Sequence, residues 1–533
     1  MTSPVSTQTG TIARSAGTVG LAVFCSRILG LVREQIFAGL FGAGYAIDAF
    51  VVAFRIPNLL RDLFAEGALS SAFVTVFTDY DQRRGPAATW RLANNTLIIL
   101  GLVVALIAAL GIIYALPLVE LLAPDFGKVP GKLGLTSLMT QIMFPFLPLI
   151  SLAALVMGIL NSKGRFFIPA LASSFFNLGS IVIGVALTLV APWCGYPAIV
   201  GMAVGTLVGG LLQLLGQVPV LFRVGYRPQL CFDLRDAGLH RIFRLMAPAV
   251  IGLSATQINI FINTFFASSC AEGSVSWLNY AFRLMQFPIG IFGVALSIAT
   301  LPVVSRYASQ QDLAGLKSAF SSALSMAMII TIPAAVGLVV LARPVIALIF
   351  EHGRFSTYDT QQTAAALALY ALGLFAYSGV KIVVPVFYAL DDTRFPVIGS
   401  FITVAANLII ITFTLEAFQH RAIALSTSLS VFINFIFLGA VLYRKLNGYP
   451  VGYLCRTLAK VTLAALVMGF VVGQLHPWLA ALLGQGLGGQ IISLLATILT
   501  GAGLYFFLIH MLKIPEVQEL KRQVARLKKG RAS

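Results

Sequence analysis

Charge is scarce in this chain. Only 10% of its 533 residues are Asp, Glu, Lys or Arg, against roughly 25% in soluble domains, which excludes an ordinary water-soluble fold. Cysteine is equally sparse: Cys25, Cys194, Cys231, Cys270 and Cys455 are scattered without paired spacing, so no disulfide framework or zinc site follows. The five histidines are dispersed, with no HExxH pair. Asp391-Asp392 is followed by Thr393-Arg394-Phe395 rather than by further carboxylates. With no nucleophile–base pair or Walker loop beside it, that dipeptide does not make an enzyme. No metal is assigned and no cofactor is expected.

What is present is apolar surface: 58% of the residues are hydrophobic. Segments of about 17 to 25 residues, long enough to span as helices, fall at 11–34, 44–64, 92–116, 136–160, 168–190, 197–220, 244–267, 277–301, 319–341, 363–388, 396–415, 422–443, 457–475 and 488–511. The first of these is long, carries charges and lacks a small-residue cleavage site, and so reads as a retained helix. The net charge of +17 raises the question of nucleic acid. Of the 36 Lys and Arg, however, 25 lie in alternate loops and the two termini, five in the opposite loops and six inside spans. That distribution is a membrane topology with both termini cytoplasmic, and it leaves no nucleic-acid surface.

The chain also repeats itself. Ala53-Phe54-Arg55 recurs as Ala281-Phe282-Arg283, Ala68-Leu69-Ser70 as Ala295-Leu296-Ser297, and Pro169 as Pro396, at offsets of 227 or 228. The expected fold is an all-α polytopic membrane protein of fourteen transmembrane helices: two six-helix lobes in a parallel repeat, plus two extra C-terminal helices. The domain boundaries are an N-lobe at 1–222, a cytoplasmic interfacial linker at 223–243, a C-lobe at 244–445, the added helix pair at 446–512 and a basic tail at 513–533. Parallel lobes are a transporter plan in which rocking exposes a midplane site alternately to each side. A channel, a scaffold or a membrane enzyme could share the same duplication.

Arginines inside apolar spans decide what such a site would bind. A charge at the bilayer centre costs roughly 2.5 to 3.5 kcal/mol on insertion scales, so Arg27, Arg33, Arg55, Arg61 and Arg283 are expected to line a polar cavity. Arg27 and Glu34 are seven residues apart on one helical face, as are Asp48, Arg55 and Asp62 on the next helix. Pro57 permits a kink there, and Arg61 and Glu66 follow. Ion pairing that locks the first two helices together is the plainer reading. Against it, Arg283 has no acidic residue between Glu272 and Asp312. Arginine's planar fork also suits phosphate, which makes a phosphate or pyrophosphate held between the lobes the simplest ligand. Lys381, the sixth intramembrane cation, reads as snorkelling from a kinked helix.

These residues carry a resemblance. Ser26-Arg27-Ile28-Leu29-Gly30, Asp48-Ala49-Phe50, and Phe54-Arg55-Ile56-Pro57-Asn58-Leu59-Leu60-Arg61 running into Phe64-Ala65-Glu66-Gly67-Ala68 are similar to the MurJ/MviN family of lipid II flippases. So are Arg283-Leu284-Met285-Gln286-Phe287-Pro288 and Gly293-Val294-Ala295-Leu296, and the likeness covers essentially the whole chain. It implies the fold of the multidrug/oligosaccharidyl-lipid/polysaccharide exporter superfamily, and as substrate lipid II, the undecaprenyl-diphosphate-linked peptidoglycan precursor. It implies a bacterial inner-membrane location, and substrate-binding roles for Arg27, Arg33, Asp48, Arg55, Arg61, Glu66 and Arg283, with Glu34 and Asn58 in support. An exporter of drugs or of another polyprenyl-linked saccharide is the alternative. Expected partners are lipid II, membrane lipids and the cell-wall synthesis machinery, with the chain a monomer.

Some family members use sodium held by an acidic ligand in helix 7. Here Gln257-Ile258-Asn259-Ile260-Phe261-Ile262-Asn263 offers only amides, so membrane potential stands beside sodium as the drive. The last two helices are implied to groove the polyprenyl tail. The tail from Pro515 and the loop 223–244 both mix apolar and basic residues, as interfacial segments do.

Overall fold

A computed structural model describes residues 4–63, 68–484 and 486–518, with the side chains of 4–18, 68, 249 and 251 left out. All regular structure among them is helical. By its contacts the chain divides into two units, Met1–Val275 and Ser276–Ser533. The first contains α1 (Pro4–Phe41), α2 (Tyr45–Arg61), α3 (Ala68–Arg83), α4 (Gly85–Ile113), α5 (Ala115–Leu122), α6 (Lys132–Met143), α7 (Phe146–Ser162), α8 (Phe167–Val190), α9 (Ile199–Leu215), α10 (Val218–Arg223) and α11 (Ala237–Ser268). The second holds most of α12 (Ser274–Pro288), then α13 (Val294–Ser309), α14 (Leu313–Val340), α15 (Ala342–Phe350), α16 (Thr357–Leu372), α17 (Leu374–Ala389), α18 (Arg394–Phe418), α19 (His420–Lys445), α20 (Val451–Leu483) and α21 (Leu487–Met511).

Among the described residues eleven helices or helix pairs are long and apolar enough to cross a membrane, and twelve if α11, bent by 53° between Pro248 and Gly252, is one span. Pro248 has no N–H to give and crowds the preceding turn, which accounts for the bend. The two expected spans outside that dozen are α1 and α2. These are the helices that carry Arg27, Arg33 and Glu34, and Asp48, Arg55 and Arg61. Fourteen spans therefore remain compatible with the structure.

The repeat is visible element by element. With an offset of 227, α4 falls on α14, α5 on α15, α7 on α17 and α8 on α18, most ends agreeing within one residue. Even the irregularities recur. The helix turns π at Asp62 and Leu63 before α3, and again at Ile289–Gly293 before α13.

In unit 1, Phe73, Phe77, Leu92, Val104, Leu155, Ile159, Leu221 and Ile242 form one core among α3, α4, α7, α10 and α11. Beside it, α8 and α9 meet backbone to backbone. A Cβ on Gly201 would stand 2.3 Å from Thr188 N, one on Gly205 2.4 Å from Gly184 Cα, and one on Gly209 2.5 Å from Phe176 O. Glycine every fourth residue is what lets the helices approach so closely, the small-xxx-small rule of membrane packing. In unit 2 a single core joins Val304, Phe320, Met328, Val386 and Leu438 to Val461, Met468 and Leu494, so α20 and α21 are built into the unit. The Tyr505 hydroxyl donates to Ile329 O at 2.7 Å across that contact. Residues such as Leu189, Phe413, Phe470 and Leu499 point outward, as lipid-facing helices require.

The segment between α10 and α11 is held on unit 1 by two buried asparagines of α4. Asn94 Oδ1 accepts from the Tyr226 hydroxyl (2.7 Å) and Gln229 N–H (3.1 Å), while its amide donates to Arg227 O. Asn95 donates to Asp233 O and accepts from Asp233 N–H, both at 2.8 Å. Asp236 then caps α11 by accepting from Leu239 N–H. These bonds, with Arg241 donating to Asp79 at 2.7 Å, are why α11 groups with unit 1 by contacts. Arg241 also holds the Asp79 carboxyl below its ordinary pKa. Asn95→Leu would leave both Asp233 backbone groups unmatched, about 1 to 3 kcal/mol each where buried. The expected result is faster limited proteolysis at 226–236 in the purified protein with the rest of the cleavage map unchanged; an unaltered rate there would contradict the anchoring role.

Candidate functional site

On α1, Arg27 is exposed one turn from Gly30, and α8 packs beside it with Asn177 donating to Ser26 O at 3.1 Å. Arg33 faces inward. Its guanidinium bonds Glu34 Oε1 at 3.0 Å and lies 5.2 Å from the Phe176 ring centre and 6.0 Å from that of Phe37. It is an arginine clothed in carboxylate and aromatic faces, with Glu34 buried beside it. On α2, Arg55 and Asn58 are half-buried. Arg61 grips its neighbour Asp62 through Nε (3.2 Å) and Nη2 (2.8 Å), and the other Asp62 oxygen accepts from Gln257 of α11 at 3.3 Å. This contact stands where α2 passes into the π turn at 62–63.

Asp48, near the start of α2, is 2% exposed and receives Lys132 Nζ at 3.0 Å and Gly273 N–H at 2.8 Å. Lys132, 3% exposed, also sits 4.3 Å over the Phe126 ring. Next to this pair, Tyr45 N–H donates to Glu272 Oε1 and the Tyr45 hydroxyl to Pro130 O. Asp48 thus sits in a closed ionic knot binding α2, α6 and the turn after α11. In unit 2, Arg283 is half-buried on α12, where Phe282 packs edge-on against Tyr370. Lys381 is half-buried on α17. Glu66, and the C-terminal tail beyond residue 518, lie outside the described residues.

The structure therefore brings Arg33 to Glu34 and Arg61 to Asp62, and takes Asp48 to Lys132, one of the five cations that the topology count assigns to the opposite loops. Lys132, Asp62 and Gln257 are the additions. A Lys–Asp pair 84 positions apart leaves no periodic signal, whereas Asp62 lay in view as the third member of the Asp48, Arg55, Asp62 stripe. Among the described residues no group of three or more His, Cys, Asp or Glu could hold a metal ion.

The family profile described as "Lipid II flippase MurJ" matches residues 37–485. The chain belongs to the MurJ family. Among MurJ relatives, the probable lipid II flippase MurJ of Vibrio cholerae serotype O1 is 33% identical over 522 residues, covering 96% of this chain and 98% of that one. The lipid II flippase MurJ of Burkholderia cenocepacia is 34% identical over 476 residues, covering 88% and 90%. A solved structure of lipid II flippase MurJ in an inward closed conformation superposes with a TM-score of 0.77 at 26% identity, covering 93% of this chain and 98% of that one. An inward-facing multidrug resistance transporter of the MATE family matches at a TM-score of 0.65 and 17% identity, with 79% of this chain and 95% of that one covered, a likeness of fold alone. MurJ membership and the run of apolar helices make this a multi-pass membrane protein.

Proposed function

We propose that this chain carries lipid II from the cytoplasmic to the outer leaflet of the bacterial inner membrane by alternating access, making no covalent change to the lipid. The observation that carries the reading is the family match over residues 37–485, on a chain in which five of the six cations inside the expected spans are arginine. The diphosphate is taken by Arg27, Arg33, Arg55, Arg61 and Arg283, with Glu66, Glu34 and Asn58 in support. Guanidinium forks bind phosphate oxygens bidentately and give up water more readily than ammonium. Asp48 acts beside them as the counter-charge of Lys132. The lobes are residues 1–222 and 244–445, joined by the linker 223–243, with both termini cytoplasmic. The pair α20 and α21 takes the polyprenyl tail along its apolar outer surface, leaving the headgroup alone to be carried through a polar path. An outward-moving anion gains about 2.3 kcal/mol per charge per 100 mV of inside-negative potential, so the potential can drive export where helix α11 offers only amides for sodium.

The test is complementation of cells depleted of their own lipid II flippase. The parent chain is expected to restore growth, and Arg27→Ala, Arg61→Ala and Arg283→Ala to fail at equal membrane expression, with lipid-linked precursor accumulating in the inner leaflet. A parent chain that reaches the membrane and does not complement would overturn the assignment. Three fully active variants would overturn the arginine mechanism.

A further inference from the structure

A pocket of about 440 Å³ opens on unit 1 between Val19 of α1, the α7–α8 turn and the end of α10. It is set at the ends of two membrane spans, since Arg223 closes the span Ile199–Arg223 and Phe167 opens the span Phe167–Cys194. Two arginines line it, Arg165 and Arg223. Both are exposed, and neither pairs with a carboxylate among the described residues.

Their placement is fixed by the backbone. Helix α7 ends in a Schellman turn: Gly164, at φ 71°, donates to Asn161 O and Arg165 N–H to Leu160 O. Helix α10 ends the same way, with Gly225 at φ 93° donating to Phe222 O and Tyr226 N–H to Leu221 O. One arginine leaves the first turn and the other the last residue of α10, so the two converge without a side-chain tether. The third wall is the start of α8. Phe166 offers it no side-chain cap, and the third helical position is Pro169. The N–H groups of Phe167 and Ile168, both pocket residues, are therefore left at the positive end of a 24-residue helix, an arrangement that receives phosphate. Around this polar focus Phe166, Phe167 and Phe222 are exposed apolar rings.

The geometry points to a binding site for an anionic phospholipid, its phosphodiester held by Arg165, Arg223 and the α8 N-terminus and its acyl chains lying over the three phenylalanines. Basic pockets between spans at the membrane surface recognise such headgroups. Because none of the arginines assigned above to lipid II takes part, this site is separate from transport of substrate.

The experiment uses the full-length purified protein and counts retained lipid by native mass spectrometry after exposure to phosphatidylglycerol or phosphatidylcholine. Phosphatidylglycerol is expected to be retained at least about ten-fold more than phosphatidylcholine, and the Arg165→Ala/Arg223→Ala variant to lose that preference. Arg165→Lys/Arg223→Lys should keep part of it, and Arg227→Ala, outside the pocket, all of it. Lipid-free melting curves matching the parent would show that the variants fold. Equal retention of both lipids by the parent, an unchanged preference in the double alanine variant, or protection by soluble glycerol 3-phosphate in place of lipid would each overturn the proposal.

Discussion

Lys132→Met should be among the most damaging substitutions outside the arginines. It removes the partner of a carboxylate that is 2% exposed, and breaking a buried ion pair by deleting one member costs about 3 to 5 kcal/mol. The bond from Gly273 N–H remains, which places the expected loss at the lower end of that range. The cost comes chiefly from stranding Asp48, so Asp48→Asn added to Lys132→Met should recover a large part of it. A double-mutant cycle on melting of the detergent-purified protein measures this. Additive effects, with the double variant as unstable as the two losses combined, would mean that the pair is not coupled. The same cycle run on transport separates a structural knot from a moving one. If the knot opens during transport, the double variant regains stability without regaining flux.

Gly205→Ala is expected to be comparably harmful, although alanine is the better helix former by roughly 1 kcal/mol. The added methyl would lie 2.4 Å from Gly184 Cα and 2.6 Å from Gly184 N, and backbone cannot swing aside as a side chain can. Helices α8 and α9 would have to part along the contact that Gly201 and Gly209 share. Overpacking of this kind costs typically about 1 to 3 kcal/mol or more, here on top of lost interhelical contact. Gly503→Ala in α21 is the control, since nothing lies within 4 Å of its Cβ position; there the substitution should be neutral or raise the melting temperature. A Gly205→Ala protein that melts with or above its parent would remove the close-approach argument.

The apolar runs of the sequence placed the long spanning helices, while α3 and α15 fall in none of the expected segments. The expected 396–415 and 422–443 became α18 and α19, and 457–475 became the middle of α20. Hydrophobicity carries that information directly. It carries nothing about breaks inside a run, so the single expected segments 136–160 and 363–388 came out as α6 with α7 and α16 with α17. At the first break Pro145 interrupts the hydrogen bonds. At the second, Gly373 meets the Ser428 side chain, whose hydroxyl bonds Leu369 O across to α16. The candidate site was legible by residue type and not by partner. Arg33 and Arg61 each found the acid next to them in sequence, whereas face-sharing arguments group residues seven apart. Asp48 found Lys132 through the packing of α2 on α6, a tertiary fact with no local trace.

The π turns after Arg61 and after Pro288 also belong to the repeat. Two unrelated irregularities would have no reason to stand at one offset in halves that now share few residues beyond Ala53-Phe54-Arg55 and its counterpart. Their agreement at one offset makes the break a feature of the repeated unit and not of either half alone. The glycine contact of α8 and α9 has no such twin, for the positions 227 residues after Gly201 and Gly205 are Ser428 and Phe432. The two halves thus share one helix break and differ in the seams between their helices.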